Sequence, residues 1–116
     1  MGSEQSSPAR QFAVGSTRRY VASMVRVSLP VDQSVRIGQS LVVTPTDIDA
    51  SGVRLIARGE IVGGPDDGQR ISSVHELSCG KSVHLGPHVV VTLIEVDGPD
   101  ALLGILAPTH MPVHSN

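Results

Sequence analysis

Aromatic side chains are nearly absent from this chain, which has no tryptophan and only Phe12 and Tyr20. Proteins that bind single-stranded RNA by stacking its bases on several exposed rings are therefore a poor match. Hydrophobic residues still make up 40% of the 116 residues. Because so few of them are aromatic, the core is predicted to consist of valine, leucine and isoleucine side chains.

Cysteine is equally rare, since Cys79 is the only one and an intrachain disulfide is excluded. It has no cysteine partner and no motif that would activate a thiolate, so we expect a small structural residue rather than a nucleophile. The N-terminal region has no apolar run as long as a signal peptide or a membrane span. We therefore expect a cytoplasmic protein without a membrane partner.

Catalytic motifs are also missing: the sequence has no nucleophile elbow, no phosphate-binding loop and no zinc-protease motif. We predict that the protein is not an enzyme and needs no cofactor. His84 with His88, and His110 with His114, are each four residues apart. In a strand that spacing spans about 13 Å, too far for one ion, and no thiolate or carboxylate accompanies either pair. We predict no metal site.

Charged residues are few, and the formal net charge is −2. This balance argues against a protein that holds nucleic acid through a broad basic face. The charge is uneven, however: residues 1–26 carry four arginines and one glutamate, whereas residues 27–116 carry five basic and ten acidic side chains. Residues 1–19, rich in serine, are predicted to form a flexible basic arm.

The chain contains one β-pattern twice. Residues 34–57 and 82–105 align without a gap, and eight of the 24 aligned positions are identical. A unit of about 45 residues rarely builds a stable core without disulfides or a metal. We therefore expect the two halves to share one core, as a dimer fused into a single chain would.

The order of strand and turn signals divides the chain further. The first repeat is predicted at 20–58, a linker rich in glycine and acidic residues at 59–71, and the second repeat at 72–116. Each repeat has β-branched strands separated by turns, and no segment has the pattern of an amphipathic helix. Pro45 stands where the second repeat has Leu93, so this strand should be bulged, short or at an edge.

Both halves resemble the carbon storage regulator (CsrA/RsmA) family of small bacterial RNA-binding proteins. The second half is the closer match, through Gly80-Lys81-Ser82-Val83-His84-Leu85-Gly86, Val89-Val90-Val91-Thr92-Leu93-Ile94-Glu95-Val96, Leu103-Gly104-Ile105-Leu106-Ala107-Pro108 and Val113-His114. The first half matches through Ser34, Ile37-Gly38, Val43-Thr44, Ile48 and Val53-Arg54-Leu55.

The resemblance implies an all-β fold in which strands of each half complete the sheets of the other, because family members form interwoven homodimers. We expect tandem CsrA-like repeats to form an intertwined pseudo-dimer within one chain, with little or no helix and no further association. Joining the halves replaces the entropy of association by a loop-closure term that grows slowly with loop length.

The resemblance also implies RNA binding where the first strand of one half meets the last strand of the other, around a GGA sequence in a hairpin loop. The family's first-strand arginine corresponds here to Leu29 and Leu77, and its last-strand arginine to Ser115. In the first half the last strand falls in Pro65-Asp66-Asp67, whose carboxylates would repel phosphate.

We therefore expect a degenerate regulator of GGA-containing mRNA leaders with at most one RNA site. Its candidate RNA-binding residues are Arg18, Arg19, Arg26, Val27, Ser28, Leu29, Val113, His114 and Ser115. The alternative is an adaptor or decoy that has lost RNA binding and binds a regulatory protein, such as a FliW-type antagonist. In that case Leu29 and Leu77 would be exposed and form the protein contacts.

Overall fold

The computed structural model describes residues 22–64 and 67–115, and within these ranges the chain forms nine strands and no helix. Arg18 and Arg19, and the rest of the expected basic arm, lie outside the described residues. No helix of the described part could cross a membrane. The strands are β1 (Ala22–Pro30), β2 (Val35–Ile37), β3 (Leu41–Asp49), β4 (Gly52–Glu60), β5 (Arg70–Leu77), β6 (Ser82–His84), β7 (Val90–Asp97), β8 (Asp100–Pro108) and β9 (Val113–Ser115).

The strands form two antiparallel sheets that exchange strands between the halves. One sheet has the order β1-β8-β7-β6, and the other has the order β5-β4-β3-β2-β9. Strand β1 of the first half thus completes the second-half sheet, while β5 and β9 of the second half flank the first-half sheet. The predicted all-β fold is confirmed, and the two repeats are interwoven.

The exchanged strands pair in the same register on both sides. Leu29 lies opposite Ala101, and Leu77 lies opposite Val53. Leu77 comes 48 residues after Leu29 and Ala101 comes 48 residues after Val53, and 48 is also the offset between the sequence repeats. The sequence duplication therefore corresponds to a structural duplication with a pseudo-two-fold relation.

The core lies between the two sheets and is aliphatic, as predicted. Alternate residues of β3, β4, β7 and β8 are buried, because successive side chains of a strand point to opposite faces. Among the described residues, no polar or charged side chain is buried. The largest fully buried side chains are Leu29, Ile37, Leu41, Leu55, Leu93, Leu103, Ile105, Met111, Val35, Val43, Val89 and Val91.

The connection between the halves is shorter than the predicted linker at 59–71. Strand β4 continues to Glu60 and β5 begins at Arg70, because the ladder between them extends to these two residues. Ile61, expected in a surface linker, is only 2% exposed and belongs to the core. Part of the connection is therefore packed rather than solvated.

The bulge expected at Pro45 is present, but proline is not its cause. The register of β3 against β4 shifts between Pro45 and Asp47, and the register of β7 against β8 shifts between Leu93 and Glu95. Both copies thus have a bulge at the same place, and β3 is neither short nor at an edge. Proline removes only a donor, since Leu93 donates its N–H to Lys81 at 3.0 Å and Pro45 has no N–H to donate.

Candidate nucleic-acid interface

Strand β1 holds the first group of candidate RNA-binding residues at the edge of the four-stranded sheet. Arg26 and Ser28 are exposed, whereas Val27 packs against the core and Leu29 is buried. The alternation of the strand explains this division, because Arg26 lies opposite Gly104 on the outer face. Arg26 and Ser28 are therefore the residues of this group that expose their side chains most.

Strand β9 holds the second group at one edge of the five-stranded sheet. Val113, His114 and Ser115 pair with the three residues of β2, and His114 lies opposite Arg36. His114 is exposed, and Val113 packs partly against the core. β1 and β9 belong to different sheets, and in the described ranges no side-chain hydrogen bond or ion pair joins them. The candidate residues therefore occupy two separate edges.

Leu29 and Leu77 are not exposed apolar contacts, and that expectation was wrong. They are only 2% and 6% exposed. Each lies opposite a core residue of the other half, so its side chain points between the sheets. An alignment with family arginines suggested an outward side chain, but the register of the exchanged strands sets the opposite face.

The composite surface expected to be unfit for RNA is only partly described, because Pro65 and Asp66 lie outside the described residues. On its β5 side, Glu76 accepts a 2.8 Å hydrogen bond from Arg54 Nη2. No strand of the described residues pairs with the outer side of β6. On the other sheet, β9 covers this side of β2, but the described part of the first half has no equivalent strand beside β6. Val83 on β6 is more exposed than its equivalent, Val35 on β2.

A row of basic side chains, which the sequence did not predict, crosses the outer face of the five-stranded sheet. Arg58 lies opposite Val42, Val42 opposite Arg36, and Arg36 opposite His114. Both arginines and His114 are exposed, and Val42 is half-buried between the arginines. With strands about 4.8 Å apart, Arg58 and Arg36 are separated by about 10 Å at the backbone.

Arg70 on β5 extends the row at the β4 end. It lies opposite Glu60, and its Nε is 3.9 Å from Glu60 Oε2, a long contact between side chains that are 83% and 43% exposed. Such a pair contributes little to stability and leaves the guanidinium accessible. Arg58 and Arg70 line a cleft of about 330 Å³ together with Glu60, Ser40 and Ser72. We call Arg36, Arg58, Arg70 and His114 the basic strip.

The opposite end of the same face is acidic and internally satisfied. Asp49 accepts hydrogen bonds from Ser51 Oγ and Ser51 N at 2.6 and 2.8 Å, and from Gly52 N at 3.1 Å. These donors hold the pKa of Asp49 below its ordinary value, and the bond to Glu76 raises the pKa of Arg54. The carboxylates here close a turn and pair an arginine, so this end is unsuited to phosphate.

The equivalent outer face of the four-stranded sheet is apolar around Met24 and Leu106, although it also carries Arg26, whose equivalent on the other sheet is the 60% exposed Val74. Met24 is 54% exposed and Leu106 is 38% exposed. They occupy the places that Ser72 and Arg58 hold on the other sheet, as the 48-residue offset shows. The two faces of one repeated fold have therefore diverged, and a position-by-position comparison of the repeats could have predicted it.

Two smaller expectations concern the cysteine and the histidines. Cys79, expected to be a small structural residue, is exposed in the turn before β6 and does not belong to the core. Within the described ranges, no group of three or more His, Cys, Asp and Glu side chains is placed to hold a metal ion. His110 lies against Gly64, where an added Cβ would come within 2.6 Å of its Nε2. His110 therefore packs against the connection between the two halves.

Comparisons of the chain with family models, with curated proteins and with solved structures gave no match. What the protein does must therefore be argued from its own repeat, strand register and surface chemistry. Those features contain two accessible surfaces of opposite character, the basic strip and the apolar face around Met24 and Leu106.

Proposed function

We propose that this protein is a CsrA-like translational regulator that binds GGA-containing mRNA leaders and carries both halves of the regulator dimer in one chain. The observation that supports the proposal most directly is the strand exchange with a repeated register. β1 joins β8, β5 joins β4 and β9 joins β2, so first and last strands of one half border strands of the other. The family resemblance implies this exchange, and a regulator of this kind would act in the cytoplasm.

The proposed function includes one RNA site rather than two. Arg26 on β1 and His114 on β9 are exposed at the two edges where the resemblance implies RNA contact, so one RNA molecule would have to reach both edges. The matching edge of the other side has the acidic side chain of Glu76 on β5 and no described strand beside β6. Guanidinium groups suit phosphate and guanine because they donate two parallel hydrogen bonds, whereas carboxylates repel the backbone.

The test is fluorescence anisotropy with an RNA hairpin that displays GGA in its loop and a control hairpin with a scrambled loop, each at two salt concentrations. We expect tighter binding of the GGA hairpin at near-physiological salt, and weaker binding after Arg26→Ala. Binding that is equal for both hairpins, or absent, would overturn the proposal of a GGA-reading regulator.

A second candidate function is that of an adaptor for a regulatory protein, and the apolar outer face of the four-stranded sheet favours it. Met24 and Leu106 expose large apolar side chains side by side on this face, and Met24 covers Gly104. Apolar clusters of this kind on a chain with few charges suit a protein contact better than an RNA contact.

The adaptor function can be tested by calorimetric titration with a purified FliW-type antagonist. We expect the doubly substituted variant Met24→Glu, Leu106→Glu to lose antagonist binding and to keep its fold, because both positions are exposed. Failure of the unchanged protein to bind would refute this candidate for that partner class.

A further inference from the structure

We infer that the basic strip on the outer face of the five-stranded sheet binds the phosphate backbone of RNA beyond the loop that is read at the edge. This inference rests on the proposed RNA-binding function and adds a site to it. It starts from Arg36, which lies directly opposite His114 and so continues the candidate edge across the sheet. RNA that contacts His114 would meet Arg36 and then Arg58 along the same row.

The strip has the spacing of a site for a polymer rather than for a single anion. From His114 to Arg58 the row crosses three strand spacings, about 14 Å. One phosphate group could contact only part of it, whereas successive phosphates of a nucleic-acid strand could contact the whole row. Val42 supplies an apolar floor between the arginines, on which their methylene stems can lie while the charged ends reach outward.

Of the three arginines in the strip, only Arg70 has a carboxylate partner among the described residues. No carboxylate of the described residues forms an ion pair with Arg36 or Arg58, and Glu60 lies 3.9 Å from Arg70 in an exposed contact. The acidic end of the face begins at Arg54, four residues or about 13 Å along β4 from Arg58. That distance exceeds the screening length of about 8 Å at physiological ionic strength. Glu60 is the described carboxylate nearest to the strip, and Arg36, Arg58 and Arg70 together leave an excess of positive charge over it despite the net charge of −2.

The chemical groups of the strip suit it to hold the RNA backbone in position and not to recognise bases. The strip has guanidinium and imidazole groups, with the serine hydroxyls of the cleft beside it, but no aromatic ring on which a base could stack. Arginine binds phosphate through two parallel hydrogen bonds, and such contacts fix orientation without reading sequence. The strip should therefore strengthen the binding of GGA and scrambled hairpins by the same factor.

The experiment measures anisotropy over a range of salt concentrations for both hairpins with the full chain and with Arg36→Ala, Arg58→Ala. Each phosphate contact contributes about 0.7 for a single strand and about 0.9 for a duplex to the slope of log affinity against log salt. Losing two contacts to a hairpin should flatten the slope by about 1.4–1.8 and weaken binding roughly tenfold at 0.15 M salt, equally for both hairpins.

Arg54→Ala is the matched control, since Arg54 is exposed on the same strand and face as Arg58 but is paired with Glu76. It should change neither the affinity nor the slope by a measurable amount. The variant Arg36→Lys, Arg58→Lys should keep most of the slope, because it keeps the charge. Thermal melts of all variants check that each is folded.

The possible results separate this inference from the proposed function. If the chain binds the GGA hairpin selectively and the double alanine variant keeps the same salt slope, the strip does not contact phosphate, and the proposed regulator function still holds. If the chain binds both hairpins equally and the double alanine variant loses this binding, the phosphate contact of the strip is supported and GGA recognition is contradicted. Equal losses of affinity in the double variant and in Arg54→Ala would indicate a general charge effect and contradict the phosphate contact of the strip. Absence of any RNA binding would contradict both this inference and the proposed regulator function.

Discussion

Replacing Leu29 or Leu77 with alanine is expected to lower the free energy of unfolding by about 2–5 kcal/mol. Both side chains are buried on the core side of the strands that the halves exchange. Burying a leucine contributes about 1.5–3 kcal/mol, and the space left by the missing carbon atoms adds to the loss because a packed core relaxes only partly. Since small domains are stable by about 5–15 kcal/mol, either substitution should remove a large share of the total.

The assay is urea unfolding followed by circular dichroism, with Met24→Ala as the control. Met24 lies on the same strand as Leu29 but is 54% exposed, so its replacement should cost less than about 1 kcal/mol. The comparison holds strand and sheet constant and changes only the face. Leu29→Asp should unfold the chain, since it would place a carboxylate without a partner in an aliphatic core.

One result would refute the reasoning directly. If Leu29→Ala cost no more than Met24→Ala, the side chain of Leu29 would have to point outward. The register of β1 against β8 would then be shifted by one residue, which exchanges the two faces of a strand. Leu29 and Leu77 would then be exposed, as expected from the sequence, and the shared register of the two exchanged strands would no longer be supported.

Three further predictions concern single turns. Asp32 has a φ of 73° where the second copy has Gly80 at 85°; Asp32→Gly should therefore keep or raise stability in urea unfolding, whereas Asp32→Val should cost about 1–2 kcal/mol. The pKa of Asp49 is lower in the folded chain than its ordinary 3.8, so its stabilising effect is present above that value and is lost as the pH falls through the folded pKa. The melting temperature of Asp49→Asn should consequently lie below that of the unchanged chain at pH 7, and the gap should close in strong acid. Cys79 is exposed, so it should react with a thiol reagent without denaturant, and a rate as slow as that of a buried thiol would contradict its placement.

The repeat made much of the fold predictable from sequence. The identities between residues 34–57 and 82–105 indicated two equivalent strand-rich units, and the size of each unit indicated a shared core. Local signals could not decide which face a strand buries when apolar residues occur on both faces. In β1, Met24, Val25, Val27 and Leu29 are all apolar, and only the pairing with β8 determines that Leu29 is inside.

The basic strip was missed for a different reason. Arg36 and Arg58 are 22 positions apart in sequence, and Arg58 stood at the expected end of the first repeat. Neither arginine has a neighbour in sequence that suggests a cluster. They come together only because β2, β3 and β4 pair side by side. Their separation in space therefore depends on the order of the strands in the sheet. Charge counts over the whole chain hid a local excess that the pairing creates.

Fusion of the two halves explains how one fold can have two different faces. In a homodimer an arginine at the place of Arg58 would appear on both sheets, but here its equivalent is Leu106. RNA held by the basic strip and a protein partner held around Met24 and Leu106 would thus lie on the outer faces of different sheets, with Arg26 two residues from Met24 on β1. Substitutions at Arg58 and at Leu106 should then act independently: the first should weaken RNA binding only, and the second should weaken antagonist binding only. For each ligand, a variant with both changes should show only the loss caused by the single substitution that affects it, and a larger loss would mean that both ligands use one surface.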